Sequence, residues 1–183
     1  MEDICLSLVK KLVTFSNLSI EEDDLEIYAY GLLSYIYTLI PLTILLISAT
    51  LFHTTLEMLT WIITFVSLRK YAGGYHAKTP TLCFLSSVLL GISSLIICTN
   101  LQMIFFPIYI ISIMLNAVIL LLLAPATHKE FTKATKIRCK IKVALLLFIF
   151  SSIYIFLPTY QSYYLYALVC TSSLCIAQKC QKC

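Results

Sequence analysis

The chain has 183 residues and a formal net charge of +4 at pH 7; 60% of its residues are hydrophobic and only 12% are charged. Soluble domains carry about a quarter charged residues, so the composition excludes an ordinary soluble domain. The apolar residues occur in blocks, and a bilayer core about 30 Å thick requires roughly 20 residues of helix to cross it. These observations predict a protein embedded in a membrane.

The first predicted element is a short amphipathic helix near the N-terminus. Cys5, Leu8, Leu12 and Phe15 recur at helical spacing, and the pair Lys10-Lys11 lies off the face that they form. An apolar stripe flanked by lysines is typical of helices that lie in the membrane interface rather than across it. We therefore predict an interfacial helix on the inner leaflet.

Six apolar segments follow, and we predict that each forms a membrane-spanning helix. Strands of a membrane barrel would alternate apolar and polar residues with a period of two, and these segments do not. The second segment is short and contains Glu57, whereas the sixth contains Thr171, Ser172 and Ser173, which indicates packing against other helices. The expected fold is an all-α, multi-pass helical membrane protein with a single membrane-embedded domain over residues 1–183. The predicted spans are Tyr28–Phe52, Leu56–Leu68, Leu82–Thr99, Ile104–Leu123, Val143–Leu157 and Tyr163–Ala177.

The lysine and arginine residues predict the orientation of these spans. All thirteen lie in four regions, whereas the turns near His53, near 100–102 and near 159–162 have none. Six spans place the four cationic regions on one side of the membrane, and the positive-inside rule makes that side cytoplasmic. Both termini are therefore predicted to be cytoplasmic. The four regions are Lys10-Lys11, the loop with Arg69, Lys70 and Lys78, the segment from Lys129 to Lys142, and the tail with Lys179 and Lys182.

The polar loop between the second and third spans contains residue types suited to covalent catalysis. It runs from Arg69 to Cys83 and includes Gly73-Gly74, His76 and Pro80. A thiol needs a base to become a nucleophile at neutral pH, and imidazole is the usual one. The two glycines allow positive φ angles, and the proline disfavours helix in the residue before it, so the loop can fold back.

Such a fold is required if His76 and Cys83 are to meet. Residues seven apart in a straight helix are separated by about 10 Å along its axis, which is too far for a hydrogen bond. In the first turn of the third span, Cys83 would lie at a helix N-terminus, which favours the thiolate. Unpaired N–H groups there could also receive a developing oxyanion. Spacing alone does not decide whether the two residues act together.

The same loop resembles the signature of the accessory gene regulator B (AgrB) family. These are multi-pass membrane cysteine endopeptidases that process quorum-sensing propeptides in Gram-positive bacteria. The dipeptide Ala124-Pro125, at the start of the basic segment, is also similar to that family, although the segment departs from the usual pattern after it. The resemblance is carried by the residues Arg69-x-x-Ala72-x-Gly74-x-His76-Ala77, followed after five residues by Cys83.

The resemblance implies the roles of the site residues and a mechanism. Cys83 would be the nucleophile and His76 its general base and acid, with Arg69, Gly73 and Gly74 in supporting positions. The enzyme would cleave an AgrD-like propeptide near its C-terminus, at the cytoplasmic face of the bacterial cell membrane. A thioester on the enzyme would then be attacked by an internal Cys or Ser of the propeptide, which gives a cyclic thiolactone or lactone autoinducing peptide.

The partners and cofactors follow from the same reasoning. We expect the propeptide and the lipid bilayer as partners, no nucleic acid, no metal and no organic cofactor. A homodimer is a common expectation for such helical bundles. The basic segment before the fifth span is expected to bind anionic lipid headgroups, and attraction of an acidic substrate segment is the alternative.

Three other interpretations of the residues stay open. A transporter or exporter without protease activity would need ionisable positions, or positions broken by Gly or Pro, deep in several spans. The spans contain Pro41 and Pro107 and, apart from Glu57, no charge. Glu57 lies near the outer end of its predicted span, where it can reach water, so we assign it no catalytic role. A non-catalytic scaffold would tolerate replacement of Cys83. Finally, Cys180-x-x-Cys183 lacks two accessible further ligands for zinc, and lipid modification suits it better.

Overall fold

A computed structural model of the chain describes residues 2–15, 22–75, 79–100, 106–126 and 131–181. Within these residues the protein forms seven α-helices and no named β-strand, which confirms the predicted all-α class. The helices are α1 (Glu2–Phe15), α2 (Glu22–Leu51), α3 (Thr55–Ala72), α4 (Pro80–Asn100), α5 (Phe106–Leu123), α6 (Lys133–Tyr154) and α7 (Pro158–Cys180).

Each predicted span corresponds to one helix from α2 to α7, but their apolar character differs. Among the described residues, three helical segments are long and apolar enough to cross a membrane, namely Asp24–Leu51, Thr81–Asn100 and Phe106–Leu123. The other three helices extend into polar or basic sequence; α6 begins at Lys133, not at the predicted Val143. The Thr132 side chain caps this end by accepting from the Thr135 N–H at 3.4 Å. The number of spans and the cytoplasmic termini stay predictions.

The chain divides into two compact units, residues 1–44 and 45–183. In the first unit, Cys5 and Val9 of α1 are buried, whereas Leu8, Leu12 and Phe15 are exposed. The four residues of the predicted apolar face therefore differ in exposure, since Cys5 is buried and the other three residues are exposed. The exposed apolar residues suit a helix at a membrane surface, and the location on the inner leaflet stays a prediction.

In the second unit, α7 is the central helix, and it packs against α3, α4, α5 and α6. Thr171 and Ser172 are buried, as the polar residues of the sixth segment predicted, although Ser173 is exposed. Hydrogen bonds between side chains tie α7 to its neighbours inside an apolar bundle, where such bonds help to fix the packing. They join Ser172 to Asn116 of α5 (2.6 Å), Tyr164 to Ser151 of α6 (2.7 Å) and Tyr166 to Ser93 of α4 (2.8 Å).

Cationic side chains gather at one end of the second unit. Arg69 and Lys70 lie in the last turn of α3. Lys142, from the part of α6 that precedes its apolar stretch, places its Nζ 4.8 Å from the centroid of the Tyr71 ring, and the Nζ of Lys70 lies 5.6 Å from the same centroid. Basic residues of α3 and α6 therefore meet at a common end, in agreement with the one-sided pattern read from the sequence.

Candidate active site

The candidate active site begins at the C-terminal end of α3. Gly73 has φ 77° and Gly74 has φ 135°, both in the region that side-chain-bearing residues rarely adopt. The Gly73 N–H donates to the carbonyl oxygen of Arg69 at 2.9 Å and closes the last turn of the helix. The glycine pair therefore ends α3 and turns the chain, as its sequence predicted.

The turn is held from one side by the segment that follows α5. The Gly74 N–H donates to the Ala126 carbonyl at 2.9 Å, and the Ala126 N–H donates to the Ala72 carbonyl at 2.8 Å. These two bonds form an isolated parallel bridge between Gly73 and Ala126. The bridge joins the end of α3 to Ala126, the residue just after Ala124-Pro125, so that dipeptide lies close to the part of the motif that contains Ala72 and Gly74.

The turn is held from the other side by α7. The Tyr75 N–H donates to the Leu174 carbonyl at 2.9 Å. A Cβ built on Gly74 would lie 3.2 Å from the Cβ of Leu174, which is a tight contact. The backbone leading to position 76 is therefore fixed between α7 and the segment after α5.

Arg69 adds a charged contact to the same backbone. One of its Nη atoms donates to the Tyr75 carbonyl at 2.9 Å, and its guanidinium carbon lies 5.6 Å from the centroid of the Phe65 ring. Partial burial lowers the pKa of Arg69 from its ordinary value, and the electrostatic influence of Cys83 and Cys175 opposes that shift. The guanidinium stays charged, so its bond to the carbonyl is charge-assisted. The sequence predicts a supporting position for Arg69, and the partner that the structure gives it is the protein's own loop.

Cys83 lies in the first turn of α4 and is half-buried. Its N–H donates to the Thr79 carbonyl at 3.2 Å, and the Leu82 N–H donates to the Thr79 side-chain oxygen at 3.3 Å. Thr79 therefore caps the helix. The placement of Cys83 agrees with the sequence, but two backbone N–H groups considered there for an oxyanion already bond within the protein.

His76 lies outside the described residues, together with Ala77 and Lys78. The structure places the chain up to Tyr75 and again from Thr79, and the predicted pairing of His76 with Cys83 stays a prediction. Glu57 lies in the first turn of α3, at the opposite end of that helix from Arg69. It is therefore not part of this site.

Sequence reasoning missed the contribution of α7. Cys175 is not among the site residues that the sequence predicts, but its Sγ lies 3.8 Å from the Ala72 carbonyl oxygen and 3.9 Å from that of Gly73. The side chain is fully buried. A pairing across about 100 positions leaves no pattern in a single sequence, so only the fold could reveal it.

The described residues include no group of three or more His, Cys, Asp or Glu side chains that could hold a metal ion. Cys180 is exposed, and Cys183 lies beyond the described part of the chain. The chemistry available in the described site is that of a thiol, a guanidinium and backbone groups.

The chain is similar to known proteins of one family. A family model described as Accessory gene regulator B matches residues 3–179. Two curated relatives named as AgrB-like proteins, from Clostridium perfringens strains 13 and SM101, are each 35% identical to the chain over 77 residues. The match covers 42% of this chain and 36% of the length of each relative. No solved structure matches. The family match extends over nearly the whole chain and includes the loop between α3 and α4.

Proposed function

The chain belongs to the accessory gene regulator B family, and we propose that it is a membrane cysteine endopeptidase of quorum sensing. Its substrate is an AgrD-like propeptide, which it cleaves near the C-terminus and releases as a cyclic autoinducing peptide. Cys83 is the nucleophile and His76 the general base and acid. The site faces the cytoplasm of a bacterial cell, because the cationic ends of the helices lie on its side.

The observation that supports this proposal best is the construction of the loop on both sides of position 76. Tyr75, the residue before it, has its N–H bonded to α7 and its carbonyl bonded to Arg69. Thr79, three residues after it, caps the helix that carries Cys83. The described residues on both sides of position 76 are thus hydrogen-bonded within the protein, and general base catalysis requires a base held in position.

The mechanism has two acyl-transfer steps. His76 takes the proton of the Cys83 thiol, and the sulfur attacks the carbonyl carbon of the scissile peptide. The C–N bond breaks, His76 gives the proton to the departing amine, and the propeptide stays bound to Cys83 as a thioester. An internal thiol or hydroxyl of the propeptide then loses its proton to His76 and attacks the thioester. The C–S bond breaks, the proton returns to Cys83, and the cyclic peptide leaves.

Arg69 supports both steps in this proposal. Its guanidinium holds the Tyr75 carbonyl at 2.9 Å and lies within electrostatic reach of Cys83. Two N–H groups at the start of α4 are already bonded to Thr79, so Arg69 is also the best described donor for a developing oxyanion.

The test is intact mass spectrometry of the full chain in lipid nanodiscs with a candidate propeptide. The wild type should form a hydroxylamine-labile adduct and release a C-terminal fragment. Cys83→Ala and His76→Ala should do neither. Cys139→Ala is the matched control, because Cys139 is also half-buried but lies on α6, and it should behave as the wild type.

Two results would overturn the proposal. If all variants cut the propeptide equally, the Cys83–His76 pair is not the catalyst. If the wild type binds the propeptide and never cuts it, while vesicles containing the protein take the peptide up, the transporter interpretation is correct.

A further inference from the structure

We propose that Cys175 on α7 is a positioning residue of the active-site loop. Its thiol supports the carbonyl end of α3 from which the chain continues to His76. The inference rests on the proposed function insofar as that loop carries the catalytic base. Neither the motif nor the family match assigns Cys175 a role.

The backbone N–H and carbonyl groups of the turn have hydrogen-bond partners elsewhere in the protein. The N–H groups of Gly73, Gly74 and Tyr75 bond to Arg69, Ala126 and Leu174, respectively. The Ala72 carbonyl accepts from Ala126, and the Tyr75 carbonyl accepts from Arg69. For the Gly73 carbonyl, the contact that the structure gives is the Cys175 sulfur at 3.9 Å. The thiol therefore completes a set of bonds that fixes the turn residue by residue.

The Cys175 sulfur contacts carbonyl oxygens at the C-terminal end of α3. The last carbonyls of a helix have no partners within the helix and carry its partial negative charge. A thiol can donate weakly to such an oxygen, whereas an alanine cannot. Cys175 is fully buried, so water does not replace the donor if the thiol is lost.

Helix α7 also approaches the turn closely. Ala72 is fully buried, and a Cβ on Gly74 would already press against Leu174 at 3.2 Å. A side chain larger than cysteine at position 175 would push α7 away from the turn and stretch the bond from Tyr75 to Leu174. Position 175 thus needs a small side chain that also donates.

The consequence is a specific kinetic effect. Tyr75 directly precedes His76 in the chain, so we expect a loosened turn to affect the catalytic step more than substrate binding. Loss of the Cys175 donor should therefore lower the acylation rate and leave KM almost unchanged.

The experiment compares Cys175→Ala, Cys175→Ser and Cys170→Ala in the full chain in nanodiscs. Cys170 is the matched control, because it is buried on the same helix, five residues earlier. Hydrogen exchange of the Gly74 and Tyr75 amides is measured without propeptide, and the rate of acyl-enzyme formation is measured with it. Cys175→Ala should speed the exchange and slow acylation by about tenfold each, with KM within about twofold, because local opening and transition-state geometry both depend on the turn.

Cys175→Ser keeps a donor and should restore most of both properties. If Cys175→Ala matches the wild type in both assays, or if Cys170→Ala has the same effect, Cys175 has no positioning role. If the serine variant is as impaired as the alanine variant, the hydrogen-bonding basis is wrong. If the wild type forms no acyl-enzyme, the proposed function fails, and the exchange rates still decide whether Cys175 anchors the turn.

Discussion

Two regions of the molecule present a cysteine to the same arginine, and they present it in opposite ways. Cys83 is half-buried in the first turn of α4, whereas Cys175 is fully buried near the end of α7. Both lie within electrostatic reach of Arg69. The residue type is the same, so the difference in expected role comes from the backbone that surrounds each sulfur.

The helix ends explain that difference. Cys83 lies at the N-terminus of α4, which carries partial positive charge. The sulfur of Cys175 instead faces the carbonyl oxygens of Ala72 and Gly73 at the C-terminus of α3, to which a thiol can donate. Cys83 is also partly exposed, whereas Cys175 is not. The proposed nucleophile and the proposed supporting thiol thus differ in the helix end that each meets and in exposure.

The largest expected effect comes from making one substitution at both sites. Cys83→Ser should reduce acyl-enzyme formation by about 10³-fold or more, because a hydroxyl is a far weaker nucleophile than a thiolate at neutral pH. Cys175→Ser should stay close to the wild type. Single-turnover mass spectrometry measures the rate of acyl-enzyme formation in both variants. Equal losses of rate at the two positions would show that the two cysteines do not differ in role.

The second-largest effect is expected from replacing His76, the proposed general base. His76→Gln should lower the rate of Cys83 alkylation by iodoacetamide at neutral pH by about 10²-fold, because a positioned base contributes typically that much or more. Raising the pH should recover most of the rate, since hydroxide then forms the thiolate. The control is His53→Gln, at an exposed residue between α2 and α3. A pH profile unchanged in His76→Gln would show that the thiol acts without this histidine.

A smaller effect is expected at the arginine that both thiols share. Arg69→Gln removes the charge beside Cys83 and the charged bond to Tyr75, and should slow acylation by about 10- to 30-fold, as for loss of one charge-assisted hydrogen bond. Arg69→Lys should recover part of the rate, because it restores charge without the planar fork.

The matched control for the arginine is Lys70→Gln, which removes an exposed charge one residue later on α3. It should have little effect on acylation. Single-turnover rates at two salt concentrations separate a local effect from a general field, because only the latter is strongly screened. Equal losses in Arg69→Gln and Lys70→Gln would mean that Arg69 acts as one surface charge among several.

The smallest expected effect tests the turn between the two cysteines. Gly74→Ala introduces a side chain at φ 135° and 3.2 Å from Leu174, and should destabilise the protein by about 1–3 kcal/mol, the usual cost of such backbone strain. Gly31→Ala is the control, because a Cβ there meets nothing within 4 Å. It should be neutral or stabilising by up to about 1 kcal/mol within a helix. Thermal unfolding in detergent compares the two, and equal shifts would show that the turn is not strained.

Much of the fold follows from local properties of the sequence. Apolar blocks predicted helices α2 to α7, the glycine pair predicted the positive φ angles after α3, and Pro80 predicted that Thr79 lies outside a helix. Each depends on hydropathy or on the conformational range of one or two residues, which the sequence contains in full. The bounds of α2, α3, α6 and α7 were less well predicted, because a helix continues through polar residues when its backbone bonds are satisfied.

The sequence by itself determined the chemical inventory of the site: Cys83 and His76 in one loop, with Arg69 and the glycines before them. Only the tertiary structure decided how that loop is held. The bonds from Arg69 to Tyr75, from Gly74 to Ala126 and from Tyr75 to Leu174 include partners from three separate elements. Backbone groups make most of these contacts, and every residue type has them, so the side-chain pattern carries no record of which groups will pair. Their pairing is set when α7 packs against α3 and brings its carbonyls and the Cys175 thiol to the turn.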